Sequence, residues 1–363
     1  MLSPILREKR SKSAENDKPL ARINLPWVAD SELEHDMNIA PAKIAITDWN
    51  FADLATEEQI LKAQGCLVHA RQCKTEAELI ELVADADAVI TQFARLTPKV
   101  IQAMAKARVI VRYGIGVDNV DLEAARARGI PVCNVPDYCM DEVADHTLSF
   151  ILASTRQVVP HTLHLRAGKW GLAVPLAGLK ALRDLTVGVV GFGRIGREVV
   201  KRLLAFKCAV LVFDPVVPVA EIAKLGARAG SFDDLLKAAD VLTLHCPSSA
   251  QTRKMMNAET FSKLKPGAVL INVGRGDLVD SAALTASLES GHLGAAALDV
   301  FDPEPIPADH PILRMSNVIL APHIASASPA AVKKLREAAA GLALKAVLGE
   351  SLPNVVNGVR PGA

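Results

Sequence analysis

Three polar residues stand at the ends of successive apolar runs in the last third of the sequence. Arg275 follows the run 268–273, Glu304 follows the run 294–299, and His323 follows the run 318–320. Because open α/β sheets bind their ligands at the carboxyl ends of parallel strands, we expect these side chains to converge. Each alone has an ordinary interpretation, as a surface arginine, a solvated carboxylate or a structural histidine. The three together at strand ends predict a reactive site.

A cation, a proton donor and a carboxylate are the groups that reduction of a 2-keto acid requires. The planar guanidinium of Arg275 suits a 2-oxo acid, since it holds the carboxylate and polarises the carbonyl. The imidazole of His323 suits proton transfer near neutral pH. Glu304 suits the task of orienting that imidazole and favouring its charged form. The hydride in such a reaction comes from a bound cofactor.

A cofactor signature occurs about midway along the chain. The apolar run 185–190 leads into Gly191, Gly193 and Gly196 in G-x-G-x-x-G spacing, and an amphipathic helical stretch follows. These glycines allow a tight turn, close approach of a pyrophosphate and close helix–strand packing. Asp214 ends the next apolar run, 18 residues after the last glycine, where a carboxylate binds a ribose 2′-hydroxyl and repels a 2′-phosphate. The pattern predicts NAD binding, with a glycine-rich turn in some other parallel-sheet protein as the alternative.

The rest of the sequence alternates short apolar runs with helical stretches, which predicts parallel-sheet α/β units. One unit precedes the glycine motif and a second contains it. The predicted fold has two doubly wound parallel-sheet domains. A Rossmann NAD-binding domain (141–324) is inserted in a flavodoxin-like substrate domain (43–140 and 325–363). The cleft between the two is the expected substrate site.

Composition limits the function classes. The 363 residues include 41 Lys and Arg against 40 Asp and Glu, and a net charge of +1 argues against a nucleic-acid partner. The sequence shows neither a membrane-spanning run nor a signal peptide, and its six scattered cysteines indicate reduced thiols. We therefore expect a cytoplasmic protein without a membrane partner. Residues 1–42 lack apolar periodicity and are predicted to be a flexible extension. His161 and His164 have ligand spacing on a helix but no nearby carboxylate, so no metal is expected.

Four segments together resemble the signatures of the D-isomer-specific 2-hydroxyacid dehydrogenases: 191–196, 272–276, 299–305 and 322–325. The resemblance extends from about Lys43 to Asn357. It implies an enzyme that interconverts a D-2-hydroxy acid and its 2-keto acid with NAD, usually as a homodimer paired through the nucleotide domains. Within the family, the segments 91–94, 118–119 and 136–138 resemble the branch of the C-terminal-binding-protein corepressors. Phosphoglycerate enzymes of the family have arginines in the loop that aligns with 91–93, and this sequence has none there.

The resemblance also implies roles for particular residues. Arg275, Glu304 and His323 correspond to the catalytic set, with the histidine as acid and base. Arg275 and the backbone amides of Ile115 and Gly116 hold the substrate, and Asp299 bonds the nicotinamide carboxamide. The segment 245–247 lines the adenosine side. The residues predicted to bind the cofactor are Gly191, Gly193, Arg194, Ile195, Gly196, Asp214, His245, Cys246, Pro247, Val273, Gly274 and Asp299.

A corepressor-like binding protein that senses NAD(H) with little turnover is the alternative function. The intact set of Arg275, Glu304 and His323 favours an enzyme, because a sensor has no need of a proton donor beside the nicotinamide. Trp170 is interpreted as an interface anchor. Tyr113 and Tyr138 either border the substrate pocket or pack in the core.

Overall fold

The computed structural model of the chain describes residues 41–359. The predicted extension over residues 1–42 therefore lies outside the described residues, apart from its last two. The described part contains a five-stranded and a seven-stranded sheet, and every strand pair in both is parallel.

The first sheet has the strand order β2-β1-β3-β4-β5, which is the order of flavodoxin-like folds. Four helices connect its strands. Helix α2 begins at a capping box in which Thr75 accepts from the Glu78 amide, and α3 begins at Thr97 followed by Pro98. The elements are β1 (Lys43–Ile46), α1 (Ala55–Lys62), β2 (Leu67–Ala70), α2 (Glu76–Val83), β3 (Ala88–Thr91), α3 (Pro98–Ala103), β4 (Ile110–Arg112), α4 (Leu122–Ala127) and β5 (Val132–Cys133).

Two helices, α5 (Met140–Thr155) and α6 (Val158–Arg166), lead from the first sheet to the second. The second sheet has the order β12-β11-β10-β9-β6-β7-β8, so the chain reverses direction across the sheet between β6 and β9. Ligands bind at such a switch point in doubly wound sheets. The elements are β6 (Thr186–Val190), α7 (Arg194–Ala205), β7 (Ala209–Phe213), α8 (Val219–Lys224), β8 (Arg228–Ala229), α9 (Phe232–Ala238), β9 (Val241–Leu244), α10 (Ala258–Ser262), β10 (Ala268–Asn272), α11 (Ser281–Glu289), β11 (Leu293–Leu298) and β12 (Val318–Leu320).

The last helix, α12 (Pro329–Val347), returns to the first sheet. Its buried face, which includes Leu335 and Leu342, packs in one hydrophobic cluster with Ile44 and Ile90 of that sheet. In the sequence, the strands of the second sheet therefore lie between β5 of the first sheet and α12, which packs on the first sheet. This arrangement confirms the predicted fold class, in which one doubly wound domain is inserted in another.

Central strands are buried on both faces because helices cover both sides of each sheet. All five residues of β10 are buried, for example, and so are all four of β9. Such strands appear in the sequence as uninterrupted apolar runs, which is why they were predictable. Four short elements were not predicted from the sequence: α4, β5, α8 and β8. The two strands have two residues each, and each helix buries a single residue, Ala125 or Ile222.

No helix within residues 41–359 combines the length and apolar character needed to cross a bilayer. Nor does that part of the chain contain a cluster of three side chains able to hold a metal ion. The six cysteines are all free thiols, and only Cys246 is partly exposed.

Candidate active site

A cleft of about 550 Å³ lies between the two sheets, and residues from both line it. We call the two sides the first-sheet wall and the second-sheet wall. The first-sheet wall includes Arg112, Ile115, Gly116, Asp118, Asn134, Tyr138 and Cys139. The second-sheet wall includes Gly193, Arg194, Ile195, His245, Cys246, Pro247, Val273, Gly274, Arg275, Asp299 and His323. Most of the predicted site residues therefore line this one cleft. Gly191, Gly196, Asp214 and Glu304 do not line it but lie close to residues that do.

The turn between β6 and α7 has the geometry of an anion cradle. Gly191 has a φ of 97°, and a Cβ there would lie 2.7 Å from the His245 carbonyl carbon. A Cβ on Gly196 would lie 2.1 Å from the Gly191 oxygen, whereas one on Gly193 would meet nothing within 4 Å. Only the middle glycine therefore faces open space. Among the described residues no side chain caps helix α7 there, so its first amides and its dipole are available to bind a phosphate.

Asp214 fixes this turn from the end of β7. Its Oδ2 accepts from the Phe192 amide at 2.7 Å, and its Oδ1 accepts from the amides of Val216 and Val217, both at 2.9 Å. Partial burial tends to raise the pKa of Asp214, but these hydrogen bonds outweigh it and hold the pKa below the usual value. The carboxylate is thus ionised at neutral pH beside the cradle. That placement fits the ribose of NAD and disfavours a further phosphate there.

His245 supports the cradle as a neutral residue. Its amide donates to the Val190 oxygen at 2.7 Å, and its Nε2 lies 2.9 Å from the Thr243 hydroxyl. Burial lowers the pKa of His245 to about 3, which keeps the imidazole uncharged. His245 is therefore not suited to donate a proton in the cleft.

His323 and Glu304 form a pair on the second-sheet wall. His323 Nδ1 lies 2.7 Å from Glu304 Oε2, and the other Glu304 oxygen accepts from the Phe301 amide at 2.9 Å. Burial tends to raise the pKa of Glu304, yet His323 and the Phe301 amide outweigh it and lower the pKa. The carboxylate stays ionised, and the imidazole is left with Nε2 as its available nitrogen.

The main chain around His323 is held by Asp299, which is fully buried. His323 has a φ of 54°, which is unusual for a residue with a side chain. Its amide donates to the Asp299 carbonyl, and the Asp299 carboxylate accepts from the amides of Ile324 and Ala325, each at 2.8 Å. Asp299 therefore fixes the loop that presents the imidazole, a task that was not predicted from the sequence.

Arg275 reaches across the cleft. Its Nη1 donates to the Gly274 carbonyl at 2.7 Å, and its Nε donates to Asp118 Oδ1 on the first-sheet wall at 3.1 Å. A Cβ on Gly116 would lie 1.5 Å from Arg275 Nη2, so a side chain there would displace the end of this guanidinium. The Arg275 main chain is held in turn by the Asn272 side-chain amide, which donates to its carbonyl at 2.8 Å.

The predicted substrate loop offers free donors beside Arg275. Within residues 41–359, neither the Ile115 amide nor the Gly116 amide has a protein acceptor. The Ile115 carbonyl accepts from Asn134 Nδ2 at 2.7 Å, which steadies the loop. Both amides are therefore available to a bound anion such as a carboxylate.

Arg112 is a cleft residue that was not predicted from the sequence. It ends β4, and its Nη1 fills the space that a Cβ on Gly114 would need. Its buried Nε has no acceptor among the described residues. Burial, followed by the Arg275 guanidinium, lowers the pKa of Arg112, although an arginine remains charged at neutral pH. Arg112 could have been predicted from its place as the charged residue at the end of an apolar strand, since Arg275 was predicted from a similar pattern.

The remaining aromatic predictions divide. Tyr138 lines the cleft, whereas Tyr113 is buried in the core with its hydroxyl donating to Glu57 at 3.0 Å. Trp170 is 92% exposed. His161 and His164 lie on α6, away from the cleft.

Comparisons with known proteins found similar sequences and similar solved structures. Residues 148–325 match the family model described as D-isomer specific 2-hydroxyacid dehydrogenase, NAD binding domain. A D-3-phosphoglycerate dehydrogenase of Mycobacterium leprae is 38% identical over 77% of this chain, which spans only 53% of that relative. The chain thus spans about half the length of the phosphoglycerate dehydrogenases it matches. A glyoxylate reductase of Korarchaeum cryptofilum is 35% identical, with 77% of this chain and 85% of the reductase aligned.

Two solved structures share the fold over nearly their whole length. The TT0316 protein of Thermus thermophilus is 36% identical with a TM-score of 0.76, covering 86% of this chain and 99% of that one. A D-lactate dehydrogenase of Aquifex aeolicus, solved with NAD and lactic acid, is 28% identical with the same TM-score, covering 85% and 96%. The glycine cradle and Asp214 fit a dinucleotide, and the family model that matches this part of the chain describes an NAD-binding domain.

Proposed function

Because the chain belongs to the D-isomer-specific 2-hydroxyacid dehydrogenase family, we propose that it interconverts a D-2-hydroxy acid and its 2-keto acid with NAD. One observation carries the proposal. The His323–Glu304 pair and Arg275 adjoin the same cleft as the dinucleotide cradle. An acid–base pair and a carboxylate-binding cation beside a nicotinamide are what this reaction requires.

The proposed domain boundaries follow the prediction, with an NAD-binding domain over residues 141–324 and a substrate domain over 43–140 and 325–363. The match of the family model to residues 148–325 supports the first, and the packing of α12 on the first sheet supports the second. Residues 360–363 lie outside the described part of the chain.

We assign the cofactor to the second-sheet wall. The cradle of Gly191, Gly193 and Gly196 would hold the pyrophosphate, with Asp214 on the adenosine ribose. When bound, NADH supplies a hydride to the carbonyl carbon of the substrate. The other residues proposed to contact the cofactor all line the cleft: Arg194, Ile195, His245, Cys246, Pro247, Val273, Gly274 and Asp299.

The protein's own groups then complete the reduction. The amides of Ile115 and Gly116 donate to the substrate carboxylate, and Arg275 binds that carboxylate and polarises the carbonyl. As the carbonyl carbon gains the hydride, His323 Nε2 gives its proton to the carbonyl oxygen, which becomes the hydroxyl. Glu304 stabilises the charged imidazole before the transfer and keeps Nε2 directed into the cleft. In the oxidative direction Nε2 accepts the proton.

We propose that the protein is a homodimer. Helix α6 has no buried residue, and Leu163 and Leu165 on it are more than half exposed, as is Trp170 beyond its end. Exposed apolar side chains that are grouped together often mark an interface. A mass in solution that corresponds to one chain would contradict the dimer.

We also propose a cytoplasmic location with no nucleic-acid or membrane partner, supported by six free thiols and a near-neutral charge. Membership of the corepressor branch stays a prediction.

The direct test is NADH oxidation against a panel of 2-keto acids: glyoxylate, hydroxypyruvate, pyruvate, phenylpyruvate and longer branched acids. We expect turnover of at least one of them, giving the D-2-hydroxy acid, with NADH preferred over NADPH. Tight NADH binding without turnover of any member would overturn the proposal. That outcome would favour the alternative of an NAD(H)-sensing binding protein.

A further inference from the structure

The substrate end of the cleft contains two guanidinium groups and one carboxylate that links the two walls. Arg112 and Arg275 both line the cleft, and they are close enough for the charge of Arg275 to lower the pKa of Arg112. Asp118 accepts from Arg275 Nε and lies within the field of Arg112. Partial burial tends to raise the pKa of Asp118, but Arg275 outweighs it through its charge and hydrogen bond, and the pKa is lowered. Asp118 is therefore an anion at neutral pH.

This pairing orients Arg275. With Nε held by Asp118 and Nη1 by the Gly274 carbonyl, the N–H groups still available lie on the two terminal nitrogens. Nη2 lies against the backbone of Gly116, whose own amide has no acceptor among the described residues. The free edge of the guanidinium and the free amide thus adjoin each other. Together they form a binding site for a single carboxylate.

The first amides of the loop that follows β3 are not available to a second anion. Two amides at its start, those of Gln92 and Phe93, donate to the Asp48 carboxylate at 3.0 and 2.6 Å, so these donors are already used. Asp48, which also faces Arg112, is itself nearly buried. Arg95, the next cation along the chain, is exposed and does not line the cleft. At the substrate end of the cleft, a second anionic group would therefore meet the Asp118 carboxylate, with Arg112 as the cation of the first-sheet wall.

We propose that Asp118 is a positioning residue that orients Arg275 and, by compensating one of the two guanidinium groups, restricts the site to 2-keto acids with a single negative charge. The proposal rests on the proposed function and narrows it to substrates whose side chain is not anionic. It predicts that this chain does not use a phosphorylated substrate of the kind named for the phosphoglycerate dehydrogenases that it matches.

The test compares two keto acids of equal length, 2-oxopentanoate and 2-oxoglutarate, which differ by the terminal carboxylate. The wild-type protein should use 2-oxopentanoate with the higher kcat/KM. In Asp118→Asn that preference should fall by about five- to tenfold, as expected when one charge is removed at this range in a partly hydrated site. The variant should fold normally, because the Asp118 side chain is 59% exposed and such ion pairs add little stability.

Asp85→Asn is the matched control. Asp85 is also a half-exposed, ion-paired aspartate of the first sheet's domain, but its partner is Lys43, at the other end of the sheet from the cleft. The control should retain the wild-type preference between the two keto acids. An equal change in both variants would assign the effect to overall charge and would overturn the role of Asp118.

A binding measurement keeps the test decisive if Asp118→Asn proves inactive. Titration calorimetry with the NAD⁺-loaded protein, which cannot reduce either keto acid, gives both affinities directly. The same weakening of the preference for 2-oxopentanoate is expected. An unchanged ratio of affinities, or a wild-type protein that favours 2-oxoglutarate, would refute the proposal. If the wild-type protein bound the keto acids with the expected ratio but reduced none of the panel, the proposed function alone would fail.

Discussion

At the substrate end of the cleft, the two walls differ in how far their polar groups are already hydrogen-bonded within the protein. On the second-sheet wall, His323 is paired with Glu304, Asp299 accepts two amides, and Arg275 is bound to its own neighbour's carbonyl. On the first-sheet wall, the Ile115 and Gly116 amides and Arg112 Nε have no acceptor among residues 41–359. Groups that move a proton gain from a fixed geometry, whereas groups that bind an anion must keep donors free. We therefore expect proton transfer on the second-sheet wall, and substrate binding by the free donors of the first-sheet wall together with Arg275.

The largest effect should come from the second-sheet wall. His323→Asn removes the proton donor and should lower kcat by about 10²- to 10⁴-fold, while NADH binding is retained. Steady-state kinetics together with NADH fluorescence titration measure the two effects. His69→Asn, on the exposed edge strand β2, is the control and should behave as the wild type. A His323 variant with wild-type kcat would remove the distinction between the walls.

A smaller and different effect should come from the first-sheet wall. Arg112→Met retains length but loses the charge, and it should raise KM for the keto acid by about ten- to a hundredfold, the range for a charged hydrogen bond. The kcat at saturation should change much less. Arg95→Met is the control, since Arg95 is exposed outside the cleft. Loss of kcat with an unchanged KM would show that Arg112 acts in the chemistry instead.

The adenosine end of the second-sheet wall should control the choice of cofactor. Asp214→Ser removes an anion that accepts three amides, and it should raise KM for NADH by about tenfold, the value of one charge-assisted hydrogen bond. The preference for NADH over NADPH should also weaken. Initial rates with both cofactors provide the measurement. An unchanged preference would mean that Asp214 serves the turn alone.

The smallest effect concerns stability in acid. The pKa of Glu304 is lowered in the folded state, so this group stabilises the fold above its unfolded pKa and ceases to do so as the pH falls through the folded pKa. The difference in unfolding free energy between the wild type and Glu304→Gln should be constant above about pH 5 and shrink below about pH 4. Urea unfolding at several pH values measures it. A difference that grew on acidification would contradict the lowered pKa.

Much of the second-sheet wall could be predicted from the sequence. Its strands β10, β11 and β12 are short apolar runs, and a polar residue that follows such a run must emerge at the carboxyl edge of the sheet. Arg275, Glu304 and His323 were found in this way. The glycine turn could also be predicted from the sequence, because close approach of the His245 backbone leaves no room for a side chain at Gly191.

The first-sheet wall was less predictable, for a physical reason. The bond from Arg275 to Asp118 joins residues 157 positions apart, and no local pattern encodes such a contact. The same holds for Asp299, whose carboxylate binds amides 25 and 26 residues away. Arg112 carried a local signal as the charged end of an apolar strand, but its lack of an acceptor is a property of the packed structure.

The division of labour between the walls is tested most directly by single-turnover rates of NADH oxidation at saturating keto acid. In this measurement binding defects are masked and only the chemical step remains visible. We predict that Arg112→Met reacts at nearly the wild-type rate, whereas His323→Asn is slower by about a hundredfold or more. Equal losses in the two variants, or a His323 variant as fast as the wild type, would contradict the account.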